Sequence, residues 1–247
     1  MPEYGQFLSG RIAWVTGASR GIGRAIAISL ARAGAVVCAG ARSEDLLRQL
    51  REIMEKENAT IHDIPVDVGD YASVQAFARQ AVEKAGPPSI LVNNAGLALF
   101  QDIGKMTPED FDKQIDATLK GPWYMTKEAV PGMKQLGSGH IINISSIAGR
   151  VAFKRGAAYN AAKGGMNLMM EALMLELREH NIKVSTIAPG SVDTSFHQQA
   201  LPQQNQKDTS WMLDPETLAE ATLHLLALPE KALTGYYEVR PMKTGGK

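Results

Sequence analysis

Along this chain short apolar runs alternate with longer amphipathic stretches. Short continuous apolar runs suit strands buried on both faces, and amphipathic stretches suit helices that cover them. The pattern therefore predicts an α/β chain with a parallel sheet and helices on both faces. Strands are predicted near 11–16, 35–39, 60–65, 89–93, 139–144, 182–187 and 235–239. Helices are predicted near 22–33, 43–57, 71–85, 107–135, 156–180 and 215–227. Pro108 after Thr107 and Pro215 after Asp214 read as first-turn prolines behind N-cap residues, and Gly34 and Gly86 as helix stops. One segment breaks the rhythm. Residues 190–213 are polar, carry Gln198, Gln199, Gln203, Gln204, Asn205 and Gln206, and are long for a loop inside a compact domain. The segment follows a strand at the edge where α/β sheets bind ligands, so it is expected to be a substrate lid. No linker or repeat divides the chain, and residues 1–247 are expected to form one domain.

Composition narrows the classes. With 45% hydrophobic and 21% charged residues among 247, the chain can build a sizeable core. Lys plus Arg and Asp plus Glu number 26 each, so a general attraction to nucleic acid or an anionic membrane is not expected. The single cysteine, Cys38, lies in an apolar run and reads as a core residue. The first residues lack a basic segment followed by an apolar one, and no apolar run approaches the ~18 residues of a membrane span. The expected location is the cytoplasm, away from membranes.

The first strand runs into Thr16-Gly17-Ala18-Ser19-Arg20-Gly21-Ile22-Gly23 and then into a helix. A strand, a glycine-rich turn and a helix make a phosphate site: free amides and the helix dipole face the anion, and glycines let the backbone approach it. No Gly-Lys-Ser/Thr follows, so an NTPase loop is not supported. The same letters satisfy G-x-S-x-G with Ser19 as nucleophile, but that elbow normally comes after several strands, and none of the five histidines is spaced to serve it. About 20 residues past the glycines an acid would grip the ribose 2′-OH of NAD, and an arginine the 2′-phosphate of NADP. Here the chain has Gly40-Ala41-Arg42-Ser43, with Glu44 and Asp45 suiting the next helix's first turn. Arg42 and Arg20 favour NADP(H).

Far downstream stands Tyr159-Asn160-Ala161-Ala162-Lys163, which puts a phenol and an ammonium on one helix face. A phenol titrates near 10 and is a poor acid–base catalyst at neutral pH; an adjacent ammonium stabilises phenolate and moves it toward the working range. Asn143-Ile144-Ser145-Ser146 ends an apolar strand and brings a hydroxyl to the nucleotide's edge. Together these features point to nucleotide-dependent redox chemistry. No cluster with metal-ligand spacing accompanies them.

The ordered set Thr16-Gly17-(x3)-Gly21-Ile22-Gly23, Asp67-Val68, Asn93-Asn94-Ala95-Gly96, Ser146, Tyr159-(x3)-Lys163 and Pro189-Gly190 resembles the short-chain dehydrogenase/reductase family, over residues ~10 to ~195. The resemblance implies a three-layer, doubly wound Rossmann-type fold with a seven-stranded parallel sheet, assembled as a homotetramer or homodimer. It implies a reversible, NADPH-dependent reduction of a ketone or aldehyde to an alcohol. Tyr159 would be the acid–base residue, Ser146 would hydrogen-bond the carbonyl, and Lys163 would hold the nicotinamide ribose and tune the tyrosine. Asp67 and Val68 would face the adenine, and Asn93, Asn94, Ala95 and Gly96 would line the cofactor. Thr194 and the Val192 backbone would meet the nicotinamide carboxamide, and Pro189, Gly190 and the glycine-turn residues Ser19, Arg20 and Ile22 would also bind the cofactor.

Two departures from the family pattern stand out. In Asp116-Ala117-Thr118-Leu119-Lys120-Gly121, Thr118 occupies the place of an asparagine that holds a relay water, so Thr118 is expected to weaken or substitute that relay. The tail Gly235-Tyr236-Tyr237-Glu238-Val239-Arg240-Pro241-Met242 lacks the usual Val-Asp-Gly-Gly-like segment; the seventh strand is expected to survive, while the tetramer contact near it is open. The substrate wall is expected from Leu97, Leu99, Phe100, Val151, Phe153, Trp211, Met212 and Leu213, which suits a medium-sized ketone or an acyl chain. Arg150, Lys154 and Arg155 near the mouth could dock an acidic carrier, as in the similar 3-oxoacyl-carrier-protein reductases, or simply solvate a loop. A non-catalytic NADP-binding protein is the alternative of another class.

Overall fold

The computed structural model describes residues 5–196 and 208–243. Its strands are β1 (Ile12–Thr16), β2 (Val36–Ala41), β3 (Ile61–Pro65), β4 (Ile90–Asn93), β5 (Gly139–Ile144), β6 (Ile182–Pro189) and β7 (Tyr236–Val239). All pair in parallel in the order β3-β2-β1-β4-β5-β6-β7. The order reverses between β1 and β4, and a crevice opens there beyond the carboxyl ends of the strands. This is the Rossmann-type, doubly wound sheet that the alternation and the resemblance predict.

The helices are α1 (Gly21–Arg32), α2 (Glu44–Glu55), α3 (Tyr71–Ala85), α4 (Pro108–Ile115), α5 (Gly121–Leu136), α6 (Ala157–Leu177) and α7 (Pro215–Ala227). They form two layers because the central strands bury both faces. Ala13 and Val15 of β1 join one core with Leu30 of α1, Leu47 of α2 and Leu218 of α7. Trp14, between them, joins the other core with Phe77 of α3, Met125 of α5 and Met166 of α6. The Trp14 and Phe77 rings meet edge to face with centroids 5.5 Å apart. Cys38 is buried in that second core, and burial pushes its thiol up to about 12.

Local chemistry explains most boundaries. Gly34 and Gly86 take left-handed backbone, with φ of +98° and +97°, and stop α1 and α3 as expected. Thr107 caps α4 by accepting from the Asp110 amide, with Pro108 in the first turn. Asp214 precedes Pro215 but makes no side-chain cap bond. The helix expected over 107–135 is interrupted by a π-helical turn, Asp116–Lys120, between α4 and α5. The two ends of the segment expected as a lid are joined by the parallel bridge Val192–Leu213 and by Thr209 Oγ1 donating to Asp193. The glutamines and Asn205 lie outside the described residues.

Candidate active site

A cleft of about 960 Å³ runs along the carboxyl ends of the strands. At its floor, Gly17 has φ +66°, and a Cβ there would stand 2.7 Å from Asn94 Nδ2 and 3.0 Å from the Ala95 Cα. Only glycine gives both the left-handed backbone and the room. Gly21, Ser19, Arg20 and Ile22 line the same wall. Gly23 does not reach the cleft: a Cβ there would stand 2.4 Å from the Gly17 carbonyl, so its absence lets α1 pack on the turn. The α1 N-terminus has no acid in its first turn and no side-chain cap, whereas α3 and α4 are capped by Asp70 and Thr107. The amides therefore face the cleft. This cradle fits a dinucleotide phosphate.

Thr16 fixes the turn from behind. Its hydroxyl donates to the Val92 carbonyl and accepts from the Asn94 and Ala95 amides. Asn94 Nδ2 donates to the Thr16 and Gly17 carbonyls. The neighbouring Asn93, expected beside the cofactor, turns the other way. It is buried and donates to Asn143 Oδ1 at 2.9 Å. Strand alternation sends consecutive asparagines to opposite faces.

At the β2 end Arg42 is exposed and lines the cleft beside Arg20, which donates to Ser43 Oγ. Glu44 and Asp45 lie in the first turn of α2. No carboxylate stands at the position that would take a ribose diol, and two guanidinium groups suit a 2′-phosphate. Asp67, Val68 and Asp70 line the far end, where Asp67 accepts from the Gly69 amide. Asp116 packs against Gly69 and pairs with Lys120 at 2.7 Å.

The reactive end is built by β5, α6 and the loop between them. Ser146 follows β5 and accepts from the Ala148 amide, starting a single 3₁₀ turn, Ile147–Gly149. Its hydroxyl is hydrogen-bonded to Tyr159 of α6. Lys163, one turn on, is buried and donates to the Ile144 carbonyl at 2.8 Å. Its Nζ lies 5.9 Å from the Tyr159 ring centroid. Burial dominates both groups here: it pushes Tyr159 up to about 12, opposed by the Ser146 hydrogen bond, and Lys163 down to about 7. The downward shift expected of the phenol is thus not present: burial outweighs its neighbours and keeps Tyr159 a protonated donor, while the buried Lys163 ammonium loses its hydration with one carbonyl as partner.

Thr118 sits fully buried in the π turn behind Gly96. Its hydroxyl accepts from the Leu97 amide at 3.0 Å and donates to the Leu97 carbonyl at 3.1 Å. A Cβ on Gly96 would touch both Thr118 Oγ1 and Lys163 Nζ, at 3.4 and 3.9 Å. Pro189, Gly190, Val192 and Thr194 line the cleft after β6.

Of the expected substrate wall, Leu97, Phe100, Val151 and Phe153 line the cleft. Leu99, Trp211, Met212 and Leu213 do not; Leu213 packs on the α1–α7 core. Phe196 was missed. It stands two residues past Thr194 and faces Tyr159 with ring centroids 6.1 Å apart, and an aromatic one residue beyond the Pro-Gly-Ser-Val-Asp-Thr run is the signal that marks it. Lys154 and Arg155 line the mouth. Arg150 lies elsewhere, stacked 3.5 Å over the Tyr236 ring of β7. No group of three or more His, Cys, Asp or Glu among the described residues could hold a metal.

The chain matches the short chain dehydrogenase family over residues 11–205. It is 34% identical over 239 residues to glycine betaine reductase of Emericella nidulans, covering 95% of this chain but 19% of that protein. It is equally 34% identical, over 235 residues, to an uncharacterized oxidoreductase of Staphylococcus haemolyticus, covering 95% and 99% of the two chains. Among solved structures it is similar to an alcohol dehydrogenase from the archaeon Thermococcus sibiricus complexed with 5-hydroxy-NADP. There the TM-score is 0.86, with 29% identity and 96% and 99% coverage. A nucleotide cradle at the sheet's reversal, a serine and a tyrosine–lysine pair at its reactive end, and these likenesses agree: the chain belongs to the short-chain dehydrogenase/reductase family of oxidoreductases.

Proposed function

We propose that this protein reduces a ketone or aldehyde to an alcohol, reversibly, with NADP(H). The observation that carries the reading is the Ser146–Tyr159–Lys163 group, its tyrosine and lysine buried, beside a phosphate cradle whose β2 end offers Arg42. When bound, NADP(H) supplies or accepts the hydride at the carbonyl carbon. The proton movements belong to the chain. Ser146 donates a hydrogen bond to the carbonyl oxygen and orients it, while the Tyr159 phenol gives that oxygen its proton. Burial makes that phenol a weaker acid than a free one, so the proton transfer depends on the groups that stabilise the phenolate. Lys163 stabilises the phenolate left behind, and Thr118, its hydroxyl committed to Leu97, keeps the Gly96–Leu97 turn against Lys163. Gly17, Ser19, Arg20, Gly21 and Ile22 would hold the pyrophosphate, with Arg42 at the 2′-phosphate. Asp67 and Val68 would meet the adenine, and Asn94, Ala95, Gly96, Pro189, Gly190, Val192 and Thr194 the nicotinamide half.

A second copy of the chain is a further part of the reading, as a homodimer or homotetramer. Trp123 on α5 and Leu168 and Leu175 on α6 are exposed apolar side chains, which support it. Cytoplasmic location also belongs here, supported by a free buried thiol that needs no oxidising compartment. No helix among the described residues is long and apolar enough to cross a membrane.

The test is NADPH oxidation followed at the nicotinamide absorbance band with ketones, diketones and 3-oxoacyl thioesters. Turnover that Tyr159→Phe removes while NADPH still binds supports the reading. Tight NADPH binding with no turnover on any compound would favour a non-catalytic NADP-binding protein.

A further inference from the structure

The loop that follows the 3₁₀ turn carries two cations on a fixed frame. Asn160 of α6 donates to the Ala148 and Val151 carbonyls, and the Gln101 amide donates to the Arg155 carbonyl at 3.1 Å. Phe153 meets Phe100 edge to face at 5.0 Å, and Phe100 in turn meets Tyr159 at 5.5 Å. Arg155 is held with φ +64°, a left-handed conformation costly for a side chain of this size and typical of functional positions. Lys154 and Arg155 both line the cleft and are exposed, and among the described residues neither forms an ion pair. The cleft's own carboxylates, Asp67, Asp70 and Asp116, gather at the opposite end, beyond β3. From Tyr159 outward the wall is therefore first aromatic and then cationic.

We propose that the substrate is a small oxo acid, whose carboxylate is gripped by Lys154 and Arg155 while an apolar stretch separates it from the carbonyl at Tyr159. Phe100, Phe153 and Phe196 pack against that stretch. The proposal rests on the carbonyl-reductase reading. Two cations on a held backbone, neither in an ion pair, gain Coulomb energy from a ligand anion without first breaking such a pair, and an apolar wall removes water from the path between. The anion grip therefore decides which ketones are used, and the serine and tyrosine decide what happens to them.

The probes are 4-oxo-4-phenylbutanoate, its methyl ester, and an acetoacetyl thioester carried on N-acetylcysteamine or on an acidic acyl carrier protein. The acid is expected to exceed its ester at least tenfold in kcat/KM at low ionic strength, with the ratio shrinking as salt is added. In Lys154→Gln/Arg155→Asn the ratio is expected to fall to about one; asparagine tolerates the left-handed backbone, so the frame is kept. Equal use of acid and ester by the wild type, or a preference that survives in the double variant, overturns the proposal and leaves the reductase reading intact. A preference for the carrier-bound thioester over both acid and ester also overturns it, assigning the cations to an acidic protein surface. Should no carbonyl compound be reduced, the reductase reading fails, and calorimetry with 4-phenylbutanoate against 4-phenylbutanamide still decides the grip. Tighter binding of the acid that the double variant abolishes supports it, and equal binding overturns it.

Discussion

Arg42 and Thr118 show how much a single side chain decides here. Arg42 stands exposed at the end of β2, and the acids that follow it, Glu44 and Asp45, belong to the first turn of α2. Arg42→Asp would replace a phosphate partner with a repelling carboxylate that suits a ribose diol. The KM for NADPH is expected to rise at least tenfold, about 1.4 kcal/mol of lost binding, while that for NADH falls. Steady-state kinetics with both cofactors check it, and an unchanged NADPH KM would remove Arg42 from the phosphate site. Thr118 has its hydroxyl committed to Leu97 on both sides. Thr118→Val keeps the volume but leaves both main-chain groups of Leu97 without a partner, a loss of about 2 kcal/mol. The expected outcome is a Tm lower by roughly 4–8 °C and a kcat reduced across the whole pH range. Thr118→Asn offers an amide donor and acceptor instead; a pH–kcat profile broader than wild type would mark a weakened relay. Should Thr118→Val match the wild type in both Tm and kcat, position 118 would play no part. The substitution at 118 was legible in the sequence, whereas its bond partner was not, because Leu97 lies 21 residues away and meets it only through the fold.

At the scale of elements, β5 and α6 carry the testable content. His140 of β5 is buried with Nε2 2.9 Å from Ser185 Oγ of β6, near Lys183 and Arg11. Burial, reinforced by those two cations, pushes it down to about 3. Folded, the imidazole stays neutral; unfolded, it takes a proton below about 6.5. The unfolded state therefore binds more protons between about 3 and 6.5, and stability falls as pH falls through that window. Urea midpoints of wild type and His140→Gln are expected to diverge at pH 7 and converge toward pH 4, since the variant lacks the penalty. Asn160 ties α6 to the loop carrying Val151 and Phe153. Asn160→Ala is expected to lower kcat about tenfold while leaving the Kd for NADPH unchanged, since two hydrogen bonds of ~1 kcal/mol each hold Ser146's loop against Tyr159. Fluorescence titration beside kinetics separates the two effects. Strand and helix positions were readable because burial on both faces writes continuous apolar runs. The break at Asp116–Lys120 was not, because one widened turn barely disturbs helical periodicity.

For the whole molecule, the cleft spans both halves of the sheet, so a ligand lying along it couples them. At a hundred times its Kd, NADP⁺ is expected to stabilise the fold by about 2.7 kcal/mol, a Tm rise of roughly 5–10 °C for a chain of this size. NAD⁺ at the same concentration is expected to give a smaller rise, and thermal melts compare them directly. Equal rises would argue against Arg42 and Arg20 as a phosphate clamp. The parallel sheet, the glycine turn, the serine, tyrosine and lysine, and an arginine directly after β2 can all be read from the linear chain. Each of these is written locally, in apolar runs, in glycines at fixed spacing, or in a pair one helical turn apart. Only the tertiary structure decided that Asn94 faces the cleft while Asn93 enters the core, and that Gly23 serves packing. It alone decided that Arg150 leaves the mouth for Tyr236 while Lys154 and Arg155 remain, with Phe196 closing on Tyr159. Those outcomes depend on which distant segments meet, and a local pattern fixes a side chain's chemistry without fixing its neighbours.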